Sequence, residues 1–314
     1  MCGITGLIDF NKQSSKGILD AMTNSLEHRG PDGGHVYLQS DVEFQLGFGH
    51  RRLSIIDLSE NAKQPMQFAH LYLTFNGEIY NYQEVKVELI KLGHVFENSS
   101  DTEMILHAYA EWGVSCLEKF IGMFAFVIYD KEKQEVFCVR DRVGVKPFFY
   151  YWNEDLFLFA SELKAFHEHP HFKKEINLDA VGAFMQYGNV PTNHCVFQHC
   201  SKLKPGHYLL FDLKTKKHHS KCYWNVYDAY NSPKQSISME EAKSGTETML
   251  QSAFEYRMVS DVPVGVFLSG GYDSACVTAL LQKDRTDKLK TFTIGVPDIG
   301  LNEAPYAKDV AKHL

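Results

Sequence analysis

Short apolar runs separated by turn residues fill the first 151 residues of the chain. Each run is shorter than the roughly ten residues that a buried helix needs, so the runs predict strands. Three segments with helical spacing, residues 18–26, 82–92 and 102–112, lie between them. Sheets covered by helices, a layered α+β domain, are therefore expected. The predicted strands are residues 3–10, 36–38, 48–56, 71–75, 124–129, 136–139 and 148–151.

The end of this domain and the start of a second one can also be placed. Residues 208–213 and 221–224 surround a polar turn and predict a hairpin, whereas residues 228–240 are polar, contain Pro233 and are typical of a linker. We assign residues 2–215 to the first domain, residues 216–240 to a linker and residues 241–314 to a second domain.

The second domain has a different rhythm. A strand at 262–268, a helix at 275–281, a strand at 290–296 and a helix at 303–314 predict the α/β pattern of a doubly wound parallel sheet. Such a sheet usually has about five strands, and this region supplies two. We therefore expect the second domain to be incomplete within these 314 residues.

Composition narrows the class of partner and the compartment. The 314 residues are 44% apolar with a net charge of −7, which indicates a folded, water-soluble protein and argues against nucleic acid as a partner. The seven cysteines are scattered and odd in number, so reduced thiols are expected. Asp9 interrupts the first apolar run, and no run approaches the ~20 residues of a membrane span. A cytoplasmic location without membrane contact is predicted.

Cys2 is the first candidate catalytic residue. Removal of Met1 before this small residue would leave a thiol and an α-amine on one residue, which supplies both nucleophile and base. A chance cysteine at position 2 is the alternative.

Five motifs in one order resolve this choice. They are Cys2-Gly3-Ile4-Thr5-Gly6, His28-Arg29-Gly30-Pro31-Asp32, Arg52-Leu53-Ser54-Ile55-Ile56-Asp57, Asn76-Gly77-Glu78-Ile79-Tyr80-Asn81 and Ser100-Asp101. These motifs resemble the glutaminase domain of glutamine-hydrolysing asparagine synthetases, which belong to the N-terminal nucleophile hydrolases. The resemblance implies a layered αββα domain in which the cysteine attacks the glutamine side-chain amide, releases ammonia and leaves a glutamyl thioester.

The residue types suit those roles. The Asn76 side-chain amide and the Gly77 N–H can stabilise an oxyanion, and Arg52 can bind the glutamine carboxylate. Glu78 and Asp101 suit its ammonium group. By resemblance, the predicted strand that starts at Arg52 also contacts glutamine through Leu53, Ser54, Ile55 and Ile56.

Simpler readings of the same residues remain open. Asn76-Gly77 is a common hairpin turn, Arg52 could be a solvated charge at a strand edge, and Asp101 could merely begin a helix. The 28–32 motif is interpreted as loop architecture near the site, without a chemical role.

The segment Ser269-Gly270-Gly271-Tyr272-Asp273-Ser274 joins a predicted strand to a predicted helix. Its two glycines and two serines are suited to binding an anion at the start of the helix. It resembles the pyrophosphate loop of ATP pyrophosphatase domains, which implies ATP as a substrate and Mg²⁺ held by Asp273. Tyr272 and Ala275 depart from that pattern, where leucine and a hydroxyl residue are usual. The ATP-binding residues implied are Leu268, Ser269, Gly270, Gly271, Asp273, Ser274 and Ile294.

Histidines and cysteines at 167–171, 194–195 and 199–200 lack the spacing of zinc sites and are interpreted as surface loops.

The resemblance as a whole implies a carbon–nitrogen ligase. Ammonia from glutamine would amidate aspartate to asparagine, and ATP would be converted to AMP and pyrophosphate. Glutamine, aspartate and ATP are the implied partners, and a homodimer is compatible with the resemblance. Two alternatives stay open: a related enzyme that amidates another carboxylate, such as a sugar acid, and a non-enzymatic homologue that binds glutamine.

Overall fold

The computed structural model describes residues 1–191, 194–296 and 302–314. The chain divides into two compact units, Met1–Ser232 and Pro233–Leu314. Within the described residues, no helix is both long enough and apolar enough to cross a bilayer.

Two six-stranded antiparallel sheets form the first unit. Their strand orders are β10-β8-β9-β1-β3-β2 and β12-β11-β7-β6-β5-β4. The strands are β1 (Gly3–Asp9), β2 (Gly33–Ser40), β3 (Gln45–Arg52), β4 (Met66–Phe68), β5 (Leu71–Ile79), β6 (Gly122–Asp130), β7 (Glu135–Arg140), β8 (Phe149–Asn153), β9 (Leu156–Ala160), β10 (Cys200–Lys202), β11 (His207–Asp212) and β12 (Lys217–Cys222).

Helices cover the outer faces of these sheets. Helix α1 packs on the first sheet, and α3 packs on β5 of the second sheet and against α2. The helices of this unit are α1 (Lys16–Asn24), α2 (Tyr82–Lys91), α3 (Asp101–Trp112), α4 (Cys116–Lys119), α5 (Leu178–Tyr187) and α6 (Val226–Asn231).

Apolar side chains fill the space between the layers. Ile4, Ile8 and Phe48 of the first sheet share one buried cluster with Val127 and Phe211 of the second. A separate cluster joins the outer face of the first sheet to α1. All seven residues of β1 are buried because both faces of this strand are covered. The predicted α+β layering, helix on sheet on sheet on helix, is confirmed.

Most predicted strands occur with shifted ends, and one is wrong at its carboxyl end. Strand β3 stops at Arg52, not at residue 56, because the next backbone N–H groups bond outside the sheet, as described below. Strands β4, β9 and β10 and helix α5 were not predicted. The predicted hairpin is confirmed, because β12 pairs with β11 within the second sheet. Its second strand begins at Lys217, inside the range 216–240 that was predicted to be linker.

The second unit has the expected alternation. Strand β13 (Val266–Phe267) pairs in parallel with β14 (Thr291–Phe292), with one helix between them in the chain. Both strands are shorter than the apolar runs that predicted them. The helices of this unit are α7 (Met239–Tyr256), α8 (Tyr272–Gln282) and α9 (Ala304–His313).

Candidate functional site

Cys2 lies immediately before β1, and its thiol contacts the segment that follows β3. The Leu53 N–H donates to Cys2 Sγ at 3.3 Å, and Arg29 Nε donates to the Cys2 carbonyl oxygen at 3.0 Å. Burial raises the pKa of the Cys2 thiol, and the hydrogen bond with Leu53 opposes this only in part. A thiol with a raised pKa keeps its proton near neutrality, so it needs a base in order to react.

The chain turns away from β3 directly beside this thiol. The N–H of Leu53 points to Cys2 Sγ, and the N–H of Ser54 donates to Asp32 Oδ2 at 2.8 Å. Neither group continues the β3 ladder, which is why the strand predicted over residues 48–56 is wrong beyond Arg52. Leu53, Ser54, Ile55 and Ile56 instead form an irregular segment.

Asp57 anchors this segment. Its Oδ1 accepts the Ser59 N–H at 3.0 Å, and its Oδ2 accepts the Ser99 N–H at 3.1 Å. Burial alone would raise the pKa of Asp57, but the hydrogen bonds from Ser59 and Ser99 hold the pKa below its usual value. Residues 53–59 are thereby fastened to the chain that leads into α3.

The Arg52 guanidinium bonds to the same segment. Its Nη1 donates to the Ser59 carbonyl at 2.9 Å, and its Nη2 donates to the Asp57 carbonyl. Arg52 is therefore not a free charge at a strand edge. Its binding of the glutamine carboxylate stays a prediction.

Asn76 and Gly77 lie inside β5, opposite Ala125 and Phe124 of β6. The Asn-Gly pair is therefore not a hairpin turn. The Asn76 side chain is 0% exposed, and neither its Nδ2 nor its Oδ1 has a hydrogen-bond partner among the residues that the structure describes. Buried polar groups are rarely left unpaired, so this amide is available to a bound ligand.

Glycine at position 77 is required by the neighbouring strand. A β-carbon there would lie 2.3 Å from the Met123 carbonyl oxygen. The close approach of β5 to β6, as well as access to the Gly77 N–H, excludes any larger residue.

Two carboxyl groups lie at the end of β5. Asp101 is buried, and its Oδ2 accepts the Ile79 N–H at 3.0 Å. Burial, with a smaller contribution from the charge of Glu78, raises the pKa of Asp101 to about 7. Burial also raises the pKa of Glu78. A bound cation would favour ionisation of both, which suits an ammonium group.

Asp101 also begins α3, as the simpler reading expected. Ser100 caps the helix through its Oγ, which accepts the Glu103 N–H at 3.2 Å. Asp101 is thus both the first residue of α3 and the hydrogen-bond partner of Ile79 on β5.

The two sheets meet at this site. His50 Nε2 lies 3.1 Å from the Phe75 carbonyl, and Thr74 Oγ1 donates to the Gly49 carbonyl at 3.3 Å. These bonds join β3, which leads to the Cys2 contact, to β5, which carries residues 76–78.

Sequence reasoning missed a role for Arg29. Its Nη1 lies 3.0 Å from Glu162 Oε1, and its Nη2 is buried with no hydrogen-bond partner in the described part of the chain. The 28–32 motif was recognised, but neither the bond from Arg29 to Cys2 nor the bond from Ser54 to Asp32 can be read from spacing.

The predicted phosphate loop connects β13 to α8. Ser269 Oγ lies 2.8 Å from Ser274 Oγ and accepts the Gly271 N–H at 3.2 Å. Asp273 lies in the first turn of α8. A β-carbon on Gly270 would lie 2.9 Å from Tyr306 Cβ, so glycine there also permits packing against α9.

Leu268 and Ile294 differ in exposure. Leu268 is buried, and its N–H donates to the Phe292 carbonyl at 2.8 Å, whereas the side chain of Ile294 is exposed. Tyr272, which departs from the family pattern, is also exposed.

Among the described residues, no three histidine, cysteine, aspartate or glutamate side chains cluster as metal ligands. The surface-loop interpretation of the histidines and cysteines is wrong for three of them. His169, Cys195 and Cys200 are buried, and His169 Nε2 lies 2.9 Å from Ser14 Oγ. Cys200 begins β10 of the first sheet, and both cysteines belong to the cluster that covers the outer face of this sheet.

Comparison with known protein families assigns the chain to a family. The model of the glutamine amidotransferase domain matches residues 1–224. The chain belongs to the glutamine amidotransferase family. A second family model, that of asparagine synthase, matches residues 245–314 of this amidotransferase.

Curated relatives agree with both matches. Asparagine synthetase [glutamine-hydrolyzing] 3 of Bacillus subtilis is 37% identical over 94% of this chain and 48% of its own length. Asparagine synthetase [glutamine-hydrolyzing] 1 of the same organism is 34% identical over 100% of this chain and 49% of its own. Amidase chry2 of Gibberella zeae is 31% identical over 90% and 43%. The amidotransferase chain thus spans about half the length of these relatives.

A solved structure supports the fold. Glutamine phosphoribosylpyrophosphate amidotransferase from B. subtilis superposes with a TM-score of 0.53 at 19% identity, over 93% of this chain and 65% of that one. The predicted architecture is confirmed: the first unit is a layered αββα domain of the glutamine amidotransferase family, and the second unit has the expected α/β alternation within the match to the asparagine synthase family.

Proposed function

We propose that the first unit is a glutaminase and that it supplies ammonia for the synthesis of asparagine from aspartate. The observation that carries this proposal is the buried side-chain amide of Asn76 in β5, which has no hydrogen-bond partner within residues 1–191, 194–296 and 302–314. Strand β5 is bonded to β3, the strand that leads to the Cys2 contact. A nucleophile and an unused donor for an oxyanion are the minimum that amide hydrolysis requires.

The chemistry follows from the residues at the site. After Met1 is removed, the Cys2 thiol proton passes to the α-amine as Sγ bonds to the side-chain carbonyl carbon of glutamine. Asn76 Nδ2 and the Gly77 N–H stabilise the oxyanion. The C–N bond then breaks, the proton passes to the departing nitrogen, and ammonia leaves. Water cleaves the remaining thioester to glutamate.

The other site residues bind the rest of glutamine. Glu78 and Asp101 bind its ammonium group, which favours the ionised form of a carboxyl group whose pKa burial has raised to about 7. Arg52 and the segment of Leu53, Ser54, Ile55 and Ile56 bind its carboxylate end.

The second unit would use this ammonia. We propose that Leu268, Ser269, Gly270, Gly271, Ser274 and Ile294 bind ATP and that ammonia displaces AMP from adenylated aspartate, with pyrophosphate as the other product. Asp273 is a single carboxylate beside a loop suited to phosphate, which fits Mg²⁺, since this ion is commonly held by one or two carboxylates and substrate phosphates. A cytoplasmic location and a homodimer stay predictions.

Acceptor identity separates this proposal from its closest alternative. In a protein that contains this chain and a whole synthetase domain, aspartate should give AMP in the presence of ATP and ammonia. AMP formation with a sugar acid but not with aspartate would favour the alternative amidotransferase.

Cys2→Ala tests the glutaminase directly. We expect this variant to release no ammonia from glutamine and to form no adduct with a glutamine-like diazoketone, because the attacking sulfur is absent. Cys222→Ala, which removes an exposed thiol of β12, should retain both activities. Ammonia release by Cys2→Ala at the wild-type rate would refute the role of Cys2. A wild-type chain that binds glutamine and forms no adduct would favour the non-enzymatic homologue.

A further inference from the structure

Lys146 is a buried lysine in the loop between β7 and β8. It is 2% exposed, and its Nζ donates a hydrogen bond to Met1 Sδ at 3.2 Å. Among the described residues, no carboxylate lies within ion-pair distance of Nζ. Lysine is almost never fully buried unless it is paired, and a thioether is a weak acceptor. The position of this ammonium group therefore needs an explanation beyond stability.

The backbone of Lys146 is held firmly in place. Its N–H donates to Asp141 Oδ2 at 2.9 Å, and its carbonyl accepts a hydrogen bond from Arg140 Nε at 2.8 Å. Asp141 also accepts the N–H groups of Val145 at 2.9 Å and Phe124 at 3.3 Å, so the loop is tied to β6. A clamp of this kind fixes where the long side chain begins.

The charged groups that act on Lys146 come from the glutaminase site and from the clamp. Burial lowers the pKa of Lys146, and the positive charge of Arg29 lowers it further. The negative charges of Glu78, Cys2 and Asp141 raise it. In turn, the charge of Lys146 lowers the pKa of the Cys2 thiol, whereas Asp101 raises it. Lys146 is thus electrostatically coupled to the nucleophile and to one proposed ammonium-binding carboxylate.

Met1 is the residue whose removal would create the catalytic amine. Its loss would take away the Sδ partner of Lys146 Nζ in the same event, because the sulfur belongs to the departing residue. The lysine would then be left in a buried site that contains Cys2 and Glu78.

We propose that Lys146 is a positioning residue of the glutaminase. After Met1 has been removed, Lys146 places a buried positive charge beside Cys2, and this charge favours the reactive thiolate and the neutral α-amine. This inference rests on the proposed glutaminase function. The amine can act as a base only in its neutral form, and a nearby positive charge disfavours its protonation as it favours the thiolate.

The test compares Lys146→Met with Lys146→Arg in chains from which Met1 has been removed. Iodoacetamide alkylation of Cys2 is followed against pH by mass spectrometry, with the exposed Cys222 as an internal reference. We expect Lys146→Met to move the midpoint for Cys2 to higher pH by about one unit, because a nearby opposite charge shifts a pKa by that order. Lys146→Arg keeps the charge and should keep the wild-type midpoint. Lys91→Met, an exposed change on α2, is the matched control.

A wild-type midpoint in folded Lys146→Met would overturn the proposal. If circular dichroism shows that this variant does not fold, Lys146→Arg decides the question, since a large shift in a variant that keeps the charge contradicts the electrostatic role. The measurement needs no glutamine. A chain that releases no ammonia from glutamine would refute the proposed function, whereas the alkylation midpoints judge Lys146 separately.

Discussion

Asn76 and Asn81 lie on either side of the end of β5, and both side chains are buried. Asn81 Nδ2 donates to the Lys119 carbonyl at 2.9 Å, and its Oδ1 accepts the Ile121 N–H at 2.8 Å. Within the part of the chain that the structure describes, Asn76 has no such partner. Burial without pairing disfavours the folded state, so a residue of this kind is more readily explained by function than by stability.

This contrast gives a paired prediction. Asn76→Ala should lower kcat/KM for glutamine by about 10²- to 10³-fold, because one oxyanion donor is lost, while the free energy of unfolding changes by less than about 1 kcal/mol. Asn81→Ala should do the reverse: it leaves two buried groups unpaired and costs about 1–3 kcal/mol of stability. Ammonia release and urea unfolding measure the two effects. Full activity in Asn76→Ala would contradict the assignment.

At the scale of the element, the segment that follows β3 shapes the site more than the regular strands do. Asp57 has φ 51, in the left-handed region, and its carboxylate accepts the N–H groups of Ser59 and Ser99. Asparagine and aspartate tolerate this conformation, whereas alanine does so poorly. Asp57 is thus one of the side chains that hold residues 53–59 in shape, together with Cys2, Asp32 and Arg52.

Asp57→Ala should therefore loosen this segment. We expect an increase of about tenfold in KM for glutamine with a smaller change in kcat, and a loss of about 1–3 kcal/mol in unfolding free energy, since buried hydrogen bonds are lost. Asp57→Asn keeps the backbone preference and one acceptor, so its effects should be intermediate. Steady-state kinetics and urea titration provide the measurements. An unchanged KM in Asp57→Ala would show that the segment does not bind glutamine.

At the scale of the whole molecule, the two units differ in how far their apolar surface is covered. The first has two sheets, each covered on both faces, and contains the large buried aromatic side chains. In the second, Phe267 and Phe292 of the two short strands are exposed. Residues 233–238 between α6 and α7 have no regular structure and are exposed.

Limited proteolysis should cut the exposed residues 233–238 first, because they form no regular secondary structure. We expect a fragment near residues 1–232 that still reacts with the glutamine-like diazoketone at Cys2, since every proposed glutaminase residue lies within that unit. Mass spectrometry of the digest identifies both the cleavage point and the adduct. Loss of labelling at the same rate as cleavage would show that the site needs the second unit.

Local sequence was sufficient for much of this protein. The short apolar runs determined most strands of the two sheets, and the order of five motifs identified the family. The same motifs predict Cys2, Asn76, Gly77 and Asp101 as site residues. These features are local or patterned, so they can be read along the chain. The parallel pairing in the second unit also followed from its strand and helix alternation.

Only the tertiary structure decided which distant groups meet. The end of β3 depends on Cys2 Sγ and Asp32, the need for glycine at position 77 depends on β6, and the clamp on Lys146 depends on Asp141. A prediction from periodicity extends a strand for as long as apolar residues continue. In the folded protein, a backbone N–H leaves the strand ladder where an acceptor from another part of the chain is better placed. The sequence around that N–H group does not show that such an acceptor is nearby.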